Sequence, residues 1–192
     1  MTRIAANTEI THLKKILGLT QGMDYAPYIR DSSKPWPLRY GRILVMTDQD
    51  HDGFHIKGLV MNLFHTLWPS LLHGDFLCSM VTPIVKATKK SDIREFYSLR
   101  SYEDWKKESR NAKQYSIKYY KGLGTSNAKE AKDYFRRLSV LTYHTEEKDN
   151  EVKKMDPFIL AFDKKKANDR KEWILANKNP YEMEYEAKRC TF

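Results

Sequence analysis

Three observations predict an α/β fold for this chain. The run ILVMT at residues 43–47 is short, unbroken and apolar, which is typical of a strand buried on both faces in a parallel sheet. A helical spacing of apolar residues follows from Ile56, so a helix is expected directly after the strand. Residues 115–120 are strand-like, and a glycine-rich turn and a helical pattern from Ser126 follow them.

The N-terminal part predicts one helix followed by a loop. Thr8 can cap a helix whose apolar positions recur at helical spacing, and Gly18 can end that helix. Residues 20–41 are rich in Pro, Gly, Ser and Asp, which indicates a loop.

Beyond the first strand, strand-like and helical patterns alternate. The helix that follows Ile56 is expected to end or kink at Pro69. Further strands are predicted at residues 76–86, 96–99 and 115–120. Further helices are predicted after Ser101, from Ser126 through Leu138 and at 163–177, with a polar loop at 144–156.

The composition indicates a globular chain. Of 192 residues, 41% are hydrophobic and 31% are charged, which excludes a disordered class. No apolar stretch reaches the ~18 residues needed to cross a bilayer, and the first ten residues lack the apolar segment of a secretory signal. The two cysteines, Cys78 and Cys190, are too few for a disulfide scaffold or a thiolate zinc site, so a reducing compartment is expected.

The basic charge is concentrated in the middle of the chain. The formal net charge is +9, and residues 86–137 hold 15 Lys and Arg against 7 Asp and Glu. Aromatic residues alternate with these lysines, which is typical of a surface that binds a polyanion such as nucleic acid. A solvated basic face without a partner is an equally open interpretation.

Three aspartates, Asp48, Asp50 and Asp52, follow the first strand at alternate positions. In an extended segment alternate side chains point the same way, so the three carboxylates are expected to converge beyond the end of the strand. Such a cluster repels itself unless a cation joins it, and carboxylate oxygens suit Mg²⁺ or Ca²⁺. Gly53 is expected to free the backbone to turn into the helix.

Other interpretations of the acidic segment remain open. An EF-hand loop starting at Asp48 requires a glutamate at its twelfth position, which is Leu59 here. An aspartate-nucleophile phosphotransferase would use Asp48 as nucleophile and Asp50 as acid/base. A solvated acidic turn is the third alternative.

Five blocks together resemble one family. The blocks are LRYGRILVMTDQDHDGFHIKGL (38–59), NLFHTLWPSLL (62–72), TPIVKATKK (82–90), YYKGLGTSNAKEAKDYF (119–135) and LAFDKKKANDRKEW (160–173). In order and spacing they resemble the TOPRIM region of eukaryotic-type type IIA DNA topoisomerases. The resemblance implies a Rossmann-like TOPRIM fold, with a parallel sheet flanked by helices, followed by an α+β extension. It implies a TOPRIM core at 1–80 that lacks its first, glutamate-bearing strand. The extension and a helical link toward the DNA breakage–reunion domain would span 81–192.

The resemblance also implies an activity and a metal site. The intact family enzyme is an ATP-dependent, nuclear homodimer that breaks, passes and rejoins duplex DNA, with no membrane partner. Asp48 and Asp50 would be the principal ligands of one or two Mg²⁺ ions, with Asp52 supporting them. The nucleophilic tyrosine, the TOPRIM glutamate and the ATPase domain match nothing in this chain. It is therefore expected to bind no ATP and to be inactive alone; a non-catalytic DNA-binding or interaction module is the alternative.

Five residues are candidate DNA contacts: Arg170, Lys171, Lys57, His55 and Lys121. The first two match the family's late basic helix and would reach the DNA backbone. For the others a structural role is open: His55 capping the helix, Lys57 neutralising the acidic cluster and Lys121 forming a packing turn. The glycines of KGLG resemble a phosphate loop, although the P-loop spacing is absent. Phe54 stands where the family carries a small residue.

Overall fold

The protein is a mixed α/β molecule, as the sequence predicted. The computed structural model describes residue 4 and residues 6–31, 33–120, 122–143 and 156–176, together with the backbone of 188–189. The α-helices are α1 (Thr8–Leu17), α2 (Ala26–Arg30), α3 (His51–Leu67), α4 (Leu99–Glu108), α5 (Ala128–Arg136), α6 (Pro157–Phe162) and α7 (Ala167–Ala176). The strands are β1 (Ile43–Val45), β2 (Leu77–Met80), β3 (Val85–Lys89), β4 (Asp92–Phe96), β5 (Ser116–Tyr119), β6 (Ser139–Thr142) and β7 (Lys188–Arg189). Single 3₁₀ turns cover Pro69–His73, Ala112–Gln114, Leu123–Thr125 and Lys164–Lys166.

The first sheet has the strand order β1-β2-β6-β7 and contains one parallel pair. β1 runs parallel to β2 with Leu44 opposite Cys78, whereas β6 pairs antiparallel with β2 and β7 antiparallel with β6. The expectation of a parallel sheet therefore holds for β1 and β2 alone among the strands that the structure describes. Among the described strands, β1 lies at the edge of this sheet and is only half-buried, whereas every residue of β2 is buried. The ILVMT run was thus wrongly predicted to be buried on both faces.

The second sheet is antiparallel, with the order β4-β3-β5. Helix α4 covers one of its faces through an aromatic cluster in which Phe96 contacts Tyr102 and Trp105. The single strand predicted at 76–86 is in fact two strands in different sheets, β2 and β3, joined by a segment that contains Pro83. Proline cannot donate to a ladder, which explains why the alternating pattern does not continue as one strand.

The main core lies between α3 and the first sheet. Fully buried side chains include Tyr25, Phe64, Trp68, Leu71 and Leu77. The Tyr25 hydroxyl accepts a hydrogen bond from the backbone of Thr20, and the Trp68 indole donates to the Thr20 carbonyl, so the polar tips of both rings are satisfied. This core fixes α3, and with it the acidic segment at the start of that helix.

Helix boundaries follow polar caps rather than the first apolar residue. Helix α1 is capped by Asn7 instead of Thr8, and Gly18 ends it in the left-handed conformation with φ of 80°, as predicted. Helix α3 starts at His51, five residues before Ile56, because Asp50 caps it. Helices α2 and α6 and strand β6 were not predicted.

Two sequence-based expectations on organisation stay predictions. The boundary proposed at residue 80 is one, and the loop proposed at 144–156 is the other, since residues 144–155 lie outside the described part. No helix among the described residues is both long and apolar enough to cross a lipid bilayer.

Candidate metal and nucleic-acid site

The acidic segment lies where β1 ends and α3 begins. Asp50 is the N-cap of α3, and its Oδ1 accepts a hydrogen bond of 2.7 Å from the Gly53 amide. Asp52 already belongs to the first turn of the helix and is exposed. The three aspartates therefore do not alternate along one extended face as expected, because the chain turns into the helix at His51. Asp48 and Asp50 precede the helix, and Asp52 lies within it.

Gly53 is required here for space rather than for conformational freedom. A β-carbon at this position would lie 1.9 Å from the Asp48 carbonyl oxygen and 3.1 Å from the Thr47 hydroxyl. The residue is helical, and the Thr47 hydroxyl donates to its carbonyl oxygen at 3.2 Å. The first turn of α3 is thus pressed directly against the backbone of the acidic segment.

The carboxylate of Asp48 is held by a distant loop. Its Oδ1 accepts a hydrogen bond of 2.6 Å from the amide of Leu123, 75 residues later in the chain. The neighbouring Gly122 packs so closely that a β-carbon there would lie 2.6 Å from Asp48 Oδ2. The glycine-rich turn that resembles a phosphate loop therefore donates to a carboxylate of the protein itself.

Lys57 is a buried cation that interacts with the acidic segment through Asp50. Its side chain is only 3% exposed, and its Nζ donates to the Gln49 side-chain oxygen at 2.9 Å. Burial lowers the pKa of Lys57, while the charge of Asp50 opposes that shift. The Phe54 ring lies 5.0 Å from the same Nζ, with 44% of its residue surface exposed. The amine is therefore held away from solvent, and the neutralising role left open for Lys57 stays a prediction.

The donor set fits a hydrated Mg²⁺ ion. Within the described ranges, no three His, Cys, Asp or Glu side chains form a metal-binding group, so a closed protein cage is not present there. Asp48 and Asp50 each give one oxygen to a backbone amide, and no described residue donates to the other oxygen of either carboxylate. Mg²⁺ keeps several of its waters and needs one or two carboxylates, which is what this turn offers.

Glu130 on α5 binds Lys118 and Tyr120, the residues that lead into the loop that contacts Asp48. Lys118 Nζ lies 2.8 Å from Glu130 Oε2, and the Tyr120 hydroxyl donates to Oε1. Asn127 and Glu130 form a reciprocal capping box at the start of α5. Burial disfavours the ionised carboxylate, but the hydrogen bonds from Lys118, Tyr120 and Asn127 prevail and lower the pKa of Glu130 to about 2.

Arg170 and Lys171, the two candidate DNA contacts on α7, have different surroundings in the structure. Arg170 Nη1 donates to the carbonyl oxygens of Leu160 at 2.8 Å and Asp163 at 3.3 Å, so its guanidinium caps the end of α6. Lys171 is exposed. Helix α6 packs on α3 so closely that a β-carbon at Gly58 would lie 3.2 Å from Phe162 Cζ.

The remaining candidates are placed differently. His55 is exposed within α3 and does not cap it, because Asp50 does so. Lys121 lies outside the described residues. Sequence reasoning missed Gln49 as the partner of Lys57 and Gly122 as the neighbour of Asp48. The only sequence signal for the second contact was the pair of glycines in KGLG, which was interpreted as a phosphate loop.

These features define a class of protein: a mixed α/β domain with a carboxylate turn at the carboxyl end of a parallel strand. The chain belongs to the family described as the C-terminal associated domain of TOPRIM, whose model matches residues 80–192. The resemblance to eukaryotic type II topoisomerases is confirmed by relatives that carry the name DNA topoisomerase 2.

Two curated relatives and one solved structure illustrate the similarity. The chain is 47% identical over 176 residues to DNA topoisomerase 2-beta of Homo sapiens, covering 90% of this chain and 10% of that protein. It is 48% identical over 180 residues to DNA topoisomerase 2 of Arabidopsis thaliana, covering 90% and 11%. The crystal structure of the Plasmodium falciparum topoisomerase II DNA-binding, cleavage and re-ligation domain matches with a TM-score of 0.74 and 39% identity. That match covers 91% of this chain and 23% of the solved chain. The chain thus spans about a tenth of the length of these curated relatives.

Proposed function

We propose that this chain is the Mg²⁺-binding TOPRIM portion of an ATP-dependent type II DNA topoisomerase, which breaks, passes and rejoins duplex DNA. The observation that carries the proposal is the turn at the end of β1, where Asp48 and Asp50 each accept one backbone hydrogen bond and no described residue donates to their second oxygens. The similarity to DNA topoisomerase 2 supplies the reaction. By the same similarity, the complete enzyme is proposed to be a nuclear homodimer.

The residues of this chain orient the carboxylates and balance their charge. A bound Mg²⁺ ion would stabilise negative charge on a DNA phosphate and on a leaving oxygen. Leu123 holds Asp48, and the Gly53 amide holds Asp50, so both carboxylates are oriented before any ion binds. Lys57 offsets part of their repulsion from the buried side, and Asp52 adds charge on the exposed side.

DNA would be held by exposed basic side chains. Lys171 on α7 is exposed, His55 on α3 is an exposed hydrogen-bonding side chain, and Lys121 remains a candidate. Arg170 would contribute indirectly, because its guanidinium holds the end of α6 against α7. Such contacts to phosphates position DNA without reading its sequence, so binding is proposed to be non-specific and to weaken with salt.

Isothermal titration with Mg²⁺ tests the metal site. Asn can still cap α3, so Asp50→Asn removes charge while keeping the cap. We expect Asp48→Asn and Asp50→Asn each to weaken Mg²⁺ binding by at least about tenfold, because a charged oxygen ligand is lost. Asp104→Asn, at an exposed ion pair with Arg100 on α4, is the matched control and should leave affinity unchanged. Equal Mg²⁺ binding by all four proteins would reject the site and favour a non-catalytic interaction module.

A trapping experiment separates the phosphotransferase alternative. Beryllofluoride mimics a phosphoryl group on an aspartate nucleophile, so incubation with it would modify Asp48 in a phosphotransferase. The proposed topoisomerase role predicts no such adduct by mass spectrometry under native conditions. A stable Asp48 adduct that Asp48→Asn abolishes would favour the phosphotransferase instead.

A further inference from the structure

We infer that Gly122 and Leu123 form a positioning element that orients the Asp48 carboxylate for a cation. The inference rests on the proposed metal site and deepens it, because it assigns a role to a loop that is distant in sequence from the aspartates. Neither residue is a catalytic residue, since both act through Asp48.

The contact has two parts that act on different atoms of the carboxylate. The Leu123 amide donates to Oδ1 at 2.6 Å, a short bond of the kind that ionised acceptors form. A β-carbon on Gly122 would lie 2.6 Å from Oδ2, 2.8 Å from Cγ and 2.9 Å from Oδ1. The Asp48 carboxylate therefore occupies the space that a side chain at residue 122 would need.

The backbone conformation at residue 122 does not require a glycine. Gly122 has φ of −169° and ψ of 174°, which is extended backbone that any residue adopts. Glycine is needed because a larger residue at this position would collide with the Asp48 side chain. By contrast, a β-carbon on Gly124, two residues later in the same loop, would meet nothing within 4 Å.

The loop is anchored independently of Asp48, which makes it a firm reference point. On one side, the Tyr120 amide donates to the Ile84 carbonyl at 2.9 Å, and its hydroxyl donates to Glu130. On the other, Asn127 caps α5 directly after the loop. Within the loop, the Thr125 amide donates to the Gly122 carbonyl at 3.1 Å. The second sheet and α5 thus fix the loop, and the loop in turn fixes Asp48.

The arrangement assigns different roles to the two oxygens of Asp48. Oδ1 accepts from the Leu123 amide, and no described residue donates to Oδ2, so Oδ2 is the oxygen inferred to meet a cation. Linkage then requires reciprocity: if the loop contact favours cation binding, cation binding stabilises the loop contact by the same factor. The contact of Gly122 and Leu123 with Asp48 would then be coupled to occupancy of the metal site.

A comparison of Gly122→Ala with Gly124→Ala in the 192-residue chain tests the inference. The atom that must yield to the new methyl group is the end of a short side chain, so Asp48 should rotate away while the fold survives. We expect Gly122→Ala to weaken Mg²⁺ binding by about tenfold, as loss of an orienting contact does. Exchange of the Leu123 amide hydrogen, measured without metal, should become faster. Gly124→Ala should match the wild type in both measurements.

A second pair of variants tests the hydrogen bond between the Leu123 amide and Asp48 in the absence of metal. The side-chain oxygen of Asp48→Asn can still accept from Leu123, whereas Asp48→Ala cannot. Protection of the Leu123 amide should persist in the first variant and be lost in the second. Equal protection in both variants, or unchanged Mg²⁺ affinity in Gly122→Ala beside a wild type that binds Mg²⁺, would overturn the positioning role. A wild-type chain that binds no Mg²⁺ would reject the proposed metal site itself.

Discussion

The backbone of Asp48 lies so close to Gly53 that no side chain fits between them. A β-carbon on Gly53 would stand 1.9 Å from the Asp48 carbonyl oxygen and 2.9 Å from its carbonyl carbon. Both obstacles are backbone atoms, and Asp48 is also held through its side chain by Leu123. The acidic turn and the first turn of α3 therefore form one rigid unit.

Replacement of Gly53 by alanine should be strongly destabilising. We expect Gly53→Ala to lower the free energy of unfolding by about 3 kcal/mol, because the backbone must shift to admit the methyl group. Urea denaturation followed by circular dichroism measures this loss. Gly58→Ala in the same helix is the control, since its nearest obstacle is the tip of the Phe162 ring at 3.2 Å. Strain and the gain in helix propensity of about 1 kcal/mol should nearly cancel there. Equal losses in both variants would contradict the close approach at Gly53.

The Glu130 carboxylate should make stability dependent on pH on the acid side. Its pKa falls from an ordinary value of 4.5 to about 2 in the folded protein, so its contribution is complete above about pH 5. That contribution is lost as the pH falls toward 2. We expect about 1–2 kcal/mol, less than the full shift implies, because solvent screens the pair with the partly exposed Lys118.

Glu130→Gln provides the measurement for this carboxylate. Its unfolding free energy should lie below that of the wild type at pH 6 and converge with it near pH 2. Asp133→Asn on the same helix, at a more exposed ion pair with Arg136, should show a much smaller difference. A gap between wild type and Glu130→Gln that stays constant from pH 6 to pH 2 would show that the charge is not responsible.

Arg170 and Lys171 are adjacent in sequence, but substitution of the first should reduce stability and substitution of the second should weaken DNA binding. Arg170→Ala removes two hydrogen bonds to the end of α6 and should cost about 1–3 kcal/mol of stability. Lys171→Ala should leave stability unchanged and weaken binding to duplex DNA, with the salt dependence reduced by about one unit of slope. Thermal unfolding and fluorescence anisotropy at several salt concentrations distinguish these effects. A Lys171→Ala chain with the wild-type salt slope would remove this lysine from the DNA surface.

Removal of the Lys57 charge should strengthen cation binding. Lys57→Met keeps the length and the apolar stem of the buried side chain but removes a cation that interacts with Asp50. We expect Mg²⁺ affinity to rise by roughly threefold to tenfold at low ionic strength, because competition for the carboxylates is removed. Titration at about 20 mM and about 300 mM salt should show a smaller gain at the higher concentration, where charges are screened. Weaker Mg²⁺ binding by this variant would mean that Lys57 orients the site rather than competing with the ion.

The sequence predicted the elements with strong local signals and missed those set by distant contacts. Helix α1 with its glycine cap, strand β5 and the strand-to-helix order around the aspartates follow from local pattern and capping chemistry. β6 escaped prediction because its pairing with β2 depends on residues about sixty positions away. The start of α3 was predicted late because its first turn is polar, and the cap at Asp50 was interpreted only as a ligand.

The candidate site was predictable in composition but not in arrangement. Asp48, Asp50 and Asp52 were identified from their spacing, yet the alternation argument assumed an extended chain where the structure has a helix cap. Burial of Lys57 and the guanidinium contacts of Arg170 depend on tertiary packing, which neither charge nor periodicity reveals. The contact between Leu123 and Asp48 likewise joins positions that no local pattern connects.

Strand β6 extends the first sheet by pairing with the buried strand β2, through Cys78 opposite Thr142 and Met80 opposite Val140. Severing the chain near residue 80 would therefore strip β2 of one ladder of backbone hydrogen bonds and leave that edge open to other polypeptides. An unpaired edge of that kind is a template for aggregation, so the segment that carries the aspartates is expected to need β6 in order to stay soluble.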